Sequence, residues 1–218
     1  MEILKFNQLS KKRKYIEDFY TWRCSDNPNN PDVVGWGSRR SQYGRFNVFN
    51  NLIENGDSVL DYGCGVGDFL RYLELREKKV IYKGVDIQPR MVQFAKEKFK
   101  DGDFEVVEKI SDIKGTYDWI VASGVFTVGM NHVDVLNYFQ SGLQICDKGV
   151  VANFLNTRNI GPDLDIVEFI SQNVKGKILE YTHYNKVVLK SFLEKKIGKS
   201  FELVDRYSRE DFTLILHK

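Results

Sequence analysis

Ser58-Val-Leu-Asp-Tyr-Gly-Cys-Gly-Val-Gly-Asp68 decides the reading of this chain. A short apolar run ends in an acid, Asp61, and glycines follow at alternate positions: Gly63, Gly65 and Gly67. An amphipathic segment begins at Val66. The pattern predicts a strand, a tight turn and a helix start, with backbone bare enough for a ligand to lie against it. A lone glycine motif is weak, because any turn with positive φ uses glycine. A second acid strengthens it. Asp86, nineteen residues past Gly67, closes another apolar run, Val80-Ile-Tyr-Lys-Gly-Val-Asp86.

Charge narrows the ligand. A dinucleotide fingerprint is Gly-x-Gly-x-x-Gly, with the pyrophosphate on the helix N-terminus. Here the third dinucleotide glycine is replaced by Asp68, and Asp61 stands just before the turn. Two acids oppose a pyrophosphate. They suit S-adenosylmethionine, which carries an ammonium and a sulfonium and no phosphate. An acid at the end of the second strand accepts hydrogen bonds from ribose hydroxyls in either case. The residues therefore favour S-adenosylmethionine over NAD.

These stretches resemble the class I S-adenosylmethionine-dependent methyltransferases. The resemblance runs from about Trp36 to the C-terminus, through Leu60-Asp-Tyr-Gly-Cys-Gly-Val-Gly67, Tyr82-Lys-Gly-Val-Asp-Ile87 and Tyr117-Asp-Trp-Ile-Val-Ala-Ser-Gly124. More narrowly, Gly35-Trp-Gly-Ser, Gln42, Arg45-Phe46, Ala152-Asn-Phe-Leu155 and the closing Asp211-Phe-Thr look like a bacterial-type subgroup. The resemblance implies roles. Asp61 and the backbone around Gly63 and Gly65 face the methionine end, Asp86 holds the ribose and Ile87 packs on adenine; Cys64, a small residue packing under the ligand, and Asp68 complete the cofactor-binding turn. Asp112-Ile113 lies where a side chain accepts the adenine amino group; a turn cap before Gly115 is the alternative for Asp112. Ala122, Ser123 and Gly124 line the floor beneath the sulfonium. Gln42 and Arg45, about one helical turn apart, reach toward the methionine carboxylate, a guanidinium matching a carboxylate bidentately. A surface ion pair is the alternative for Arg45. Trp36 closes the pocket or anchors its loop.

Outward from the motif, the chain alternates. Strands are expected near 58–61, 80–86, 104–107, 118–122 and 149–154, and helices near 67–77, 89–99 and 133–146. Such alternation means an α/β fold with a parallel sheet and helices on both faces. Ligands of such sheets sit outside the carboxyl ends of the strands. Helices over 10–24 and 38–54, separated by the polar loop 24–32, form an N-terminal helical cap (1–55) on a core of residues 56–218, all in one domain. In the last third, 163–173 and 185–197 read as helices, and 201–205 and 212–216 as a strand hairpin. The resemblance implies a Rossmann-like seven-stranded, mostly parallel sheet whose last strand is antiparallel.

Composition bounds the rest. With 218 residues, 42% hydrophobic and 28% charged, the chain is long enough for a core without staples. No apolar run reaches the ~20 residues of a membrane helix, and Met1-Glu-Ile-Leu-Lys lacks the plan of a signal peptide. A cytoplasmic location without membrane contact is the expectation. Cys24, Cys64 and Cys146 are odd in number and scattered, which suggests neither disulfide framework nor zinc site. A net charge of +2 is too balanced to advertise nucleic-acid binding. The basic clusters Lys11–Lys14 and Lys195-Lys196 read as wet helix faces.

Methyl transfer is an in-line displacement that demands alignment, with one proton removed where the acceptor is a hydroxyl or a protonated amine. Histidine is the natural base near neutral pH. His132 and His183 are the catalytic candidates; a helix cap is the alternative for His132. Tyr43, Phe126, Asn153, Tyr181 and Tyr184 are candidate substrate walls, with core packing or ordinary hydrogen bonding as the alternative. No Asp-Pro-Pro-Tyr or Asn-Pro-Pro-Tyr follows the fourth strand, no Pro-Cys occurs, and no spacing supports a catalytic metal. The expectation is methylation at O or N of a small molecule, sugar- or nucleotide-related. The alternatives are a nucleic-acid methyltransferase and a non-catalytic binding partner.

Overall fold

The two apolar runs that close in acids lie side by side as parallel strands, Tyr62 level with Val85. The computed structural model describes residues 39–157, 165–174 and 177–218, with Lys14, Asp18 and Tyr20 before them, all three helical. Trp36, Cys24, the loop 24–32 and most of the helix expected over 10–24 lie outside the described residues.

Helix α1 (Arg39–Leu52) leads into β1 (Ser58–Tyr62), α2 (Asp68–Leu75), β2 (Ile81–Asp86), α3 (Pro89–Lys98) and β3 (Asp103–Val106). A 3-10 turn (Ile110–Asp112) precedes β4 (Tyr117–Ala122), and another (Val125–Thr127) precedes α4 (His132–Ile145). There follow β5 (Cys146–Leu155), β6 (Val167–Val174), β7 (Lys177–Tyr184), α5 (Lys186–Ile197), β8 (Glu202–Val204) and β9 (Asp211–His217). Seven strands form one sheet in the order β3-β2-β1-β4-β5-β9-β8. The first five are parallel, and β9 runs antiparallel to both neighbours.

Strand periodicity fills two cores. Val59, Trp119, Val121, Val151 and Ile215 pack against Phe46 and Phe49 of α1 and Phe69, Tyr72 and Leu73 of α2. Their chain neighbours Leu60, Ile120, Val150, Ala152 and Leu214 face the other way, onto Val135, Tyr138 and Phe139 of α4 and Leu189 and Leu193 of α5. Near-continuous apolar runs are what a sheet buried on both faces requires. The strand order reverses between β1 and β4, so a crevice opens at their carboxyl ends.

One expectation fails here. Of the helix expected over 163–173, residues 163 and 164 lie outside the described residues, and the rest is not helical: Val167–Val174 is a strand, paired antiparallel with Lys177–Tyr184 in a separate two-stranded sheet. The spacing of Ile166, Val167, Phe169 and Ile170 satisfies a helical as well as a strand period, and a short apolar run does not separate the two. The cross-strand partner decides. Tyr184, a candidate substrate wall with core packing as its alternative, is fully buried on Phe154 and donates its hydroxyl to the Met130 carbonyl at 3.2 Å. The expected strand hairpin 201–205/212–216 is present as β8 and β9.

Candidate active site

The crevice at the switch point is an open cleft of about 930 Å³, part of it continuous with solvent. Its floor is the turn between β1 and α2. Gly63 and Cys64 donate to the Val85 carbonyl at 2.7 and 3.0 Å, folding the turn back over β2. Gly63 has φ +78°, and a Cβ there would stand 2.3 Å from Val125 Cγ2. Turn and β4 loop therefore touch through a missing side chain. Gly63→Ala is expected to destabilise the protein by about 1–3 kcal/mol and to push Val125 into the cleft. Thermal melting and ligand titration check both halves.

Acids crowd this floor. Asp61, 2% exposed, accepts the Tyr82 hydroxyl at 2.6 Å. Burial pushes its carboxyl up to about 7; the Tyr82 hydrogen bond opposes this, while the charges of Asp86 and Asp68 add to it. Asp68, the first residue of α2, accepts Gln42 Nε2 at 3.0 Å and Lys98 Nζ at 3.1 Å. Asp86 accepts the Gly65 amide at 2.9 Å and the Gln88 amide at 2.8 Å. Burial raises its pKa too, against the backbone amides that favour the charged form. Cys64 sits beneath, its thiol pushed up by burial, which removes it as a nucleophile.

The far wall is the end of β4. Asn153 accepts the Gly124 amide at 3.0 Å and donates to Ser123 Oγ at 3.0 Å, pinning that loop from β5. Asn153 is thus a buried support, not a cleft surface.

Ten of the residues singled out from sequence line the cleft: Gln42, Asp61, Gly63, Cys64, Gly65, Asp68, Asp86, Ile87, Ser123 and Gly124. Others are placed elsewhere. Arg45 pairs in the interior with Asp211 at 2.5 Å, joining α1 to the start of β9. Ala122, Ile113 and Phe126 belong to the core, and Tyr43 packs on Tyr72. Asp112 is exposed in its 3-10 turn, where Ser111 Oγ meets it at 3.3 Å. The helix cap beside His132 is Asn131, whose side chain accepts the Val133 and Asp134 amides. The His132 ring lies edge-on to Phe192 at 5.1 Å. His183 and Tyr181 stand on β7, opposite Glu168 and Ile170. Neither histidine is on the cleft wall.

Sequence reasoning missed Tyr20, Phe46, Tyr62, Phe69, Met91, Val107, Glu108, Val125 and Met130 as cleft residues. A signal existed for Glu108. Asp86 is level with Val106 in the parallel register, so the residues just past β3 stand beside Ile87. Val107 confirms the height by donating to the Asp86 carbonyl at 3.0 Å.

Among the described lining residues four are acids, Asp61, Asp68, Asp86 and Glu108, and none is Lys, Arg or His. The apolar part comes from side chains such as Phe46, Phe69, Ile87 and Met91. The chemistry of such a slot suits an organic cation with hydroxyls and a flat apolar portion. A phosphate would meet like charge.

Residues 53–204 match a family model described as a methyltransferase domain. A protein of Mycobacterium tuberculosis named as a methyltransferase is 38% identical over 80 residues, covering 35% of this chain and 46% of that protein. A tRNA (guanine-N(7)-)-methyltransferase of Clostridium botulinum is 35% identical over 66 residues, covering 30% of this chain and 29% of that one. These matches span less than half the length of either curated relative. Among solved structures, magnesium protoporphyrin IX methyltransferase from Synechocystis, crystallised with bound S-adenosylmethionine, superposes with a TM-score of 0.61. It is 16% identical, over 95% of this chain and 97% of that one, a likeness of fold.

Proposed function

The chain belongs to the methyltransferase-domain family, and from that premise we propose that the cleft binds S-adenosylmethionine and serves methyl transfer to an oxygen or nitrogen of a small molecule. The observation that carries this reading is the acidic wall of the cleft: four Asp or Glu side chains, Asp68 among them paired with Lys98, and no cationic side chain among its described lining residues. A donor with an ammonium and a sulfonium suits that wall. The glycine turn fits as well, since a Cβ at Gly63 would close the floor onto Val125.

In this reading Asp86 faces the ribose, with Ile87 and Met91 against the adenine and Glu108 at its polar edge. Asp61 and Asp68 face the amino-acid end, and Ser123-Gly124, fixed by Asn153, forms the shelf under the reacting atoms. When bound, the donor supplies a methyl group on positively charged sulfur, so departure of the thioether needs no acid. The chain's contribution is alignment and exclusion of water, which by itself accounts for large rate factors. Burial pushes the Tyr62 phenol up to about 12, too high for a base at neutral pH. With both histidines off the cleft, positioning is the main device.

Proton linkage gives a test of the cationic end. In the free protein Asp61 is protonated below about pH 7, and an ammonium ligand binds its ionised form. Affinity for S-adenosylhomocysteine is therefore flat above about pH 7 and falls by up to about tenfold per pH unit below it. Stability has the opposite sign. A carboxyl whose folded pKa lies above its ordinary 3.8 favours folding below that value and loses this contribution as pH rises through about 7. The gap amounts to at most about 4 kcal/mol. Asp61→Asn is expected to raise the melting temperature of the ligand-free protein at pH 8 while weakening ligand binding about tenfold or more. Calorimetry and melting curves across pH check both signs.

A nucleic-acid acceptor is the second reading, favoured by the name of the tRNA methyltransferase relative and opposed by the acidic cleft. The deciding experiment incubates the protein with methyl-labelled S-adenosylmethionine and either a metabolite extract or total RNA. Label in a small molecule supports the first reading. Label in RNA, with binding that falls steeply with salt, supports the second.

A further inference from the structure

Gln42 stands on the inner face of α1, 1% exposed, on the wall of the cleft. Its amide nitrogen donates to Asp68 Oδ2 at 3.0 Å. That contact sets the orientation of the amide, because a carboxylate only accepts and the nitrogen must face it. The carbonyl oxygen, Oε1, is buried and has no hydrogen-bond partner among the described residues. Its neighbours differ in this respect. Asp61 takes the Tyr82 hydroxyl, and Asp68 takes Lys98 as well as Gln42. An enclosed acceptor left unpaired is unfavourable, and native structures rarely keep one without a use.

What satisfies Oε1 must be a donor. One of the two Gln42 amide N–H bonds is engaged by Asp68, and the polar atom left unpaired is the acceptor, which a ligand carboxylate, the partner expected from sequence, does not satisfy. The amino-acid tail of an S-adenosyl ligand carries one donor group, the ammonium, with three N–H bonds. Asp61 and Asp68 line the same cleft, so an ammonium there meets carboxylates as well as the amide oxygen. We propose that Gln42 Oε1 accepts a hydrogen bond from the ammonium of the ligand's amino-acid tail and thereby selects ligands with a free amine, Asp68 orienting it. This rests on the cleft being an S-adenosyl site.

The test uses the full chain and three ligands in calorimetry: S-adenosylhomocysteine, its decarboxylated form, which keeps the amine alone, and methylthioadenosine, which lacks the whole tail. Gln42→Met preserves length and removes both polar atoms. The expected result is a loss of about tenfold or more for both amine-bearing ligands, unchanged affinity for methylthioadenosine, and a ligand-free melting temperature that does not fall. Gln42→Glu, which keeps acceptor oxygens, is expected to hold the amine ligands within about threefold at pH 8. Loss confined to S-adenosylhomocysteine would assign Gln42 to the carboxylate and overturn the proposal. Equal loss for all three ligands, or no loss for any, would also overturn it. Should Gln42→Met fail to fold, a Gln42→Glu protein that binds methylthioadenosine normally but has lost both amine ligands overturns it as well. Failure of wild-type protein to bind any of the three would instead remove the S-adenosyl reading, and the proposal with it.

Discussion

Asp86→Ala is expected to bind S-adenosylhomocysteine at least about a hundredfold more weakly than the wild-type chain. The carboxylate has two tasks. One is internal: Oδ2 accepts from Gly65 and Oδ1 from Gln88, which staples the glycine turn to the start of α3. An ionised carboxylate has about four acceptor sites, so each oxygen retains capacity toward the cleft it lines. Under the proposed function that capacity meets the two ribose hydroxyls. Hydrogen bonds to a charged group are worth about 1.5–3 kcal/mol each, and losing two gives the hundredfold or more. Alanine also releases the Gly65 and Gln88 amides, so the melting temperature should fall modestly. Asp86→Asn keeps one acceptor oxygen and separates the two tasks, with an expected loss of about tenfold. Calorimetry alongside melting curves is the measurement. Affinity within about threefold of wild type for a folded Asp86→Ala protein would remove Asp86 from the ligand.

The largest stability effect is expected at Arg45, not in the cleft. Its guanidinium is 8% exposed and meets Asp211, 3% exposed, across 166 residues of sequence. Taking away one member of a buried pair strands the other charge in the interior, which costs about 3–5 kcal/mol. At about 2–4 °C per kcal/mol for a chain of this size, Arg45→Ala should melt roughly 6–20 °C lower. The Asp211→Ala protein should behave alike. Replacing both, Arg45→Met with Asp211→Leu, leaves no orphan charge and should recover most of the loss. A double-mutant cycle in denaturant measures this. Ligand affinity, taken well below the melting transition, should stay within a few-fold in the double variant. A fall of a hundredfold there would return Arg45 to the ligand carboxylate.

The pair also bears on a pattern visible in the sequence. Gln42, Arg45-Phe46 and the closing Asp211-Phe-Thr stand out together there, and the expectation places Gln42 and Arg45 at the ligand carboxylate, with a surface ion pair as the alternative for Arg45. The structure divides them. Gln42 lines the cleft, Arg45 and Asp211 lock α1 to β9, and Phe212 is core. Side chains one helical turn apart share a face of α1, yet one reaches the cleft and the other the sheet. Periodicity gives the face and not the neighbour.

The strand–turn–helix at Ser58–Asp68, the acid ending β2, the alternation of apolar runs and the parallel sheet were determined by the sequence alone. The first three rest on interactions between residues close in the chain: glycine at positive φ, proline at a helix start, period 2 against period 3.6; the parallel sheet follows from their alternation, because strands joined through helices pair parallel. Three other features were decided only in three dimensions. The β6–β7 hairpin exists because Val167 finds Tyr184 and Phe169 finds Thr182, in a stretch whose own spacing fits a helix equally well. Glu108 displaces Asp112 at the cleft because β3 pairs in register with β2. His132 and His183 leave the site because α4 and β7 carry them elsewhere. Local conformational energies are written into adjacent residues, whereas pairing across dozens of positions depends on which surfaces meet after the chain has closed upon itself.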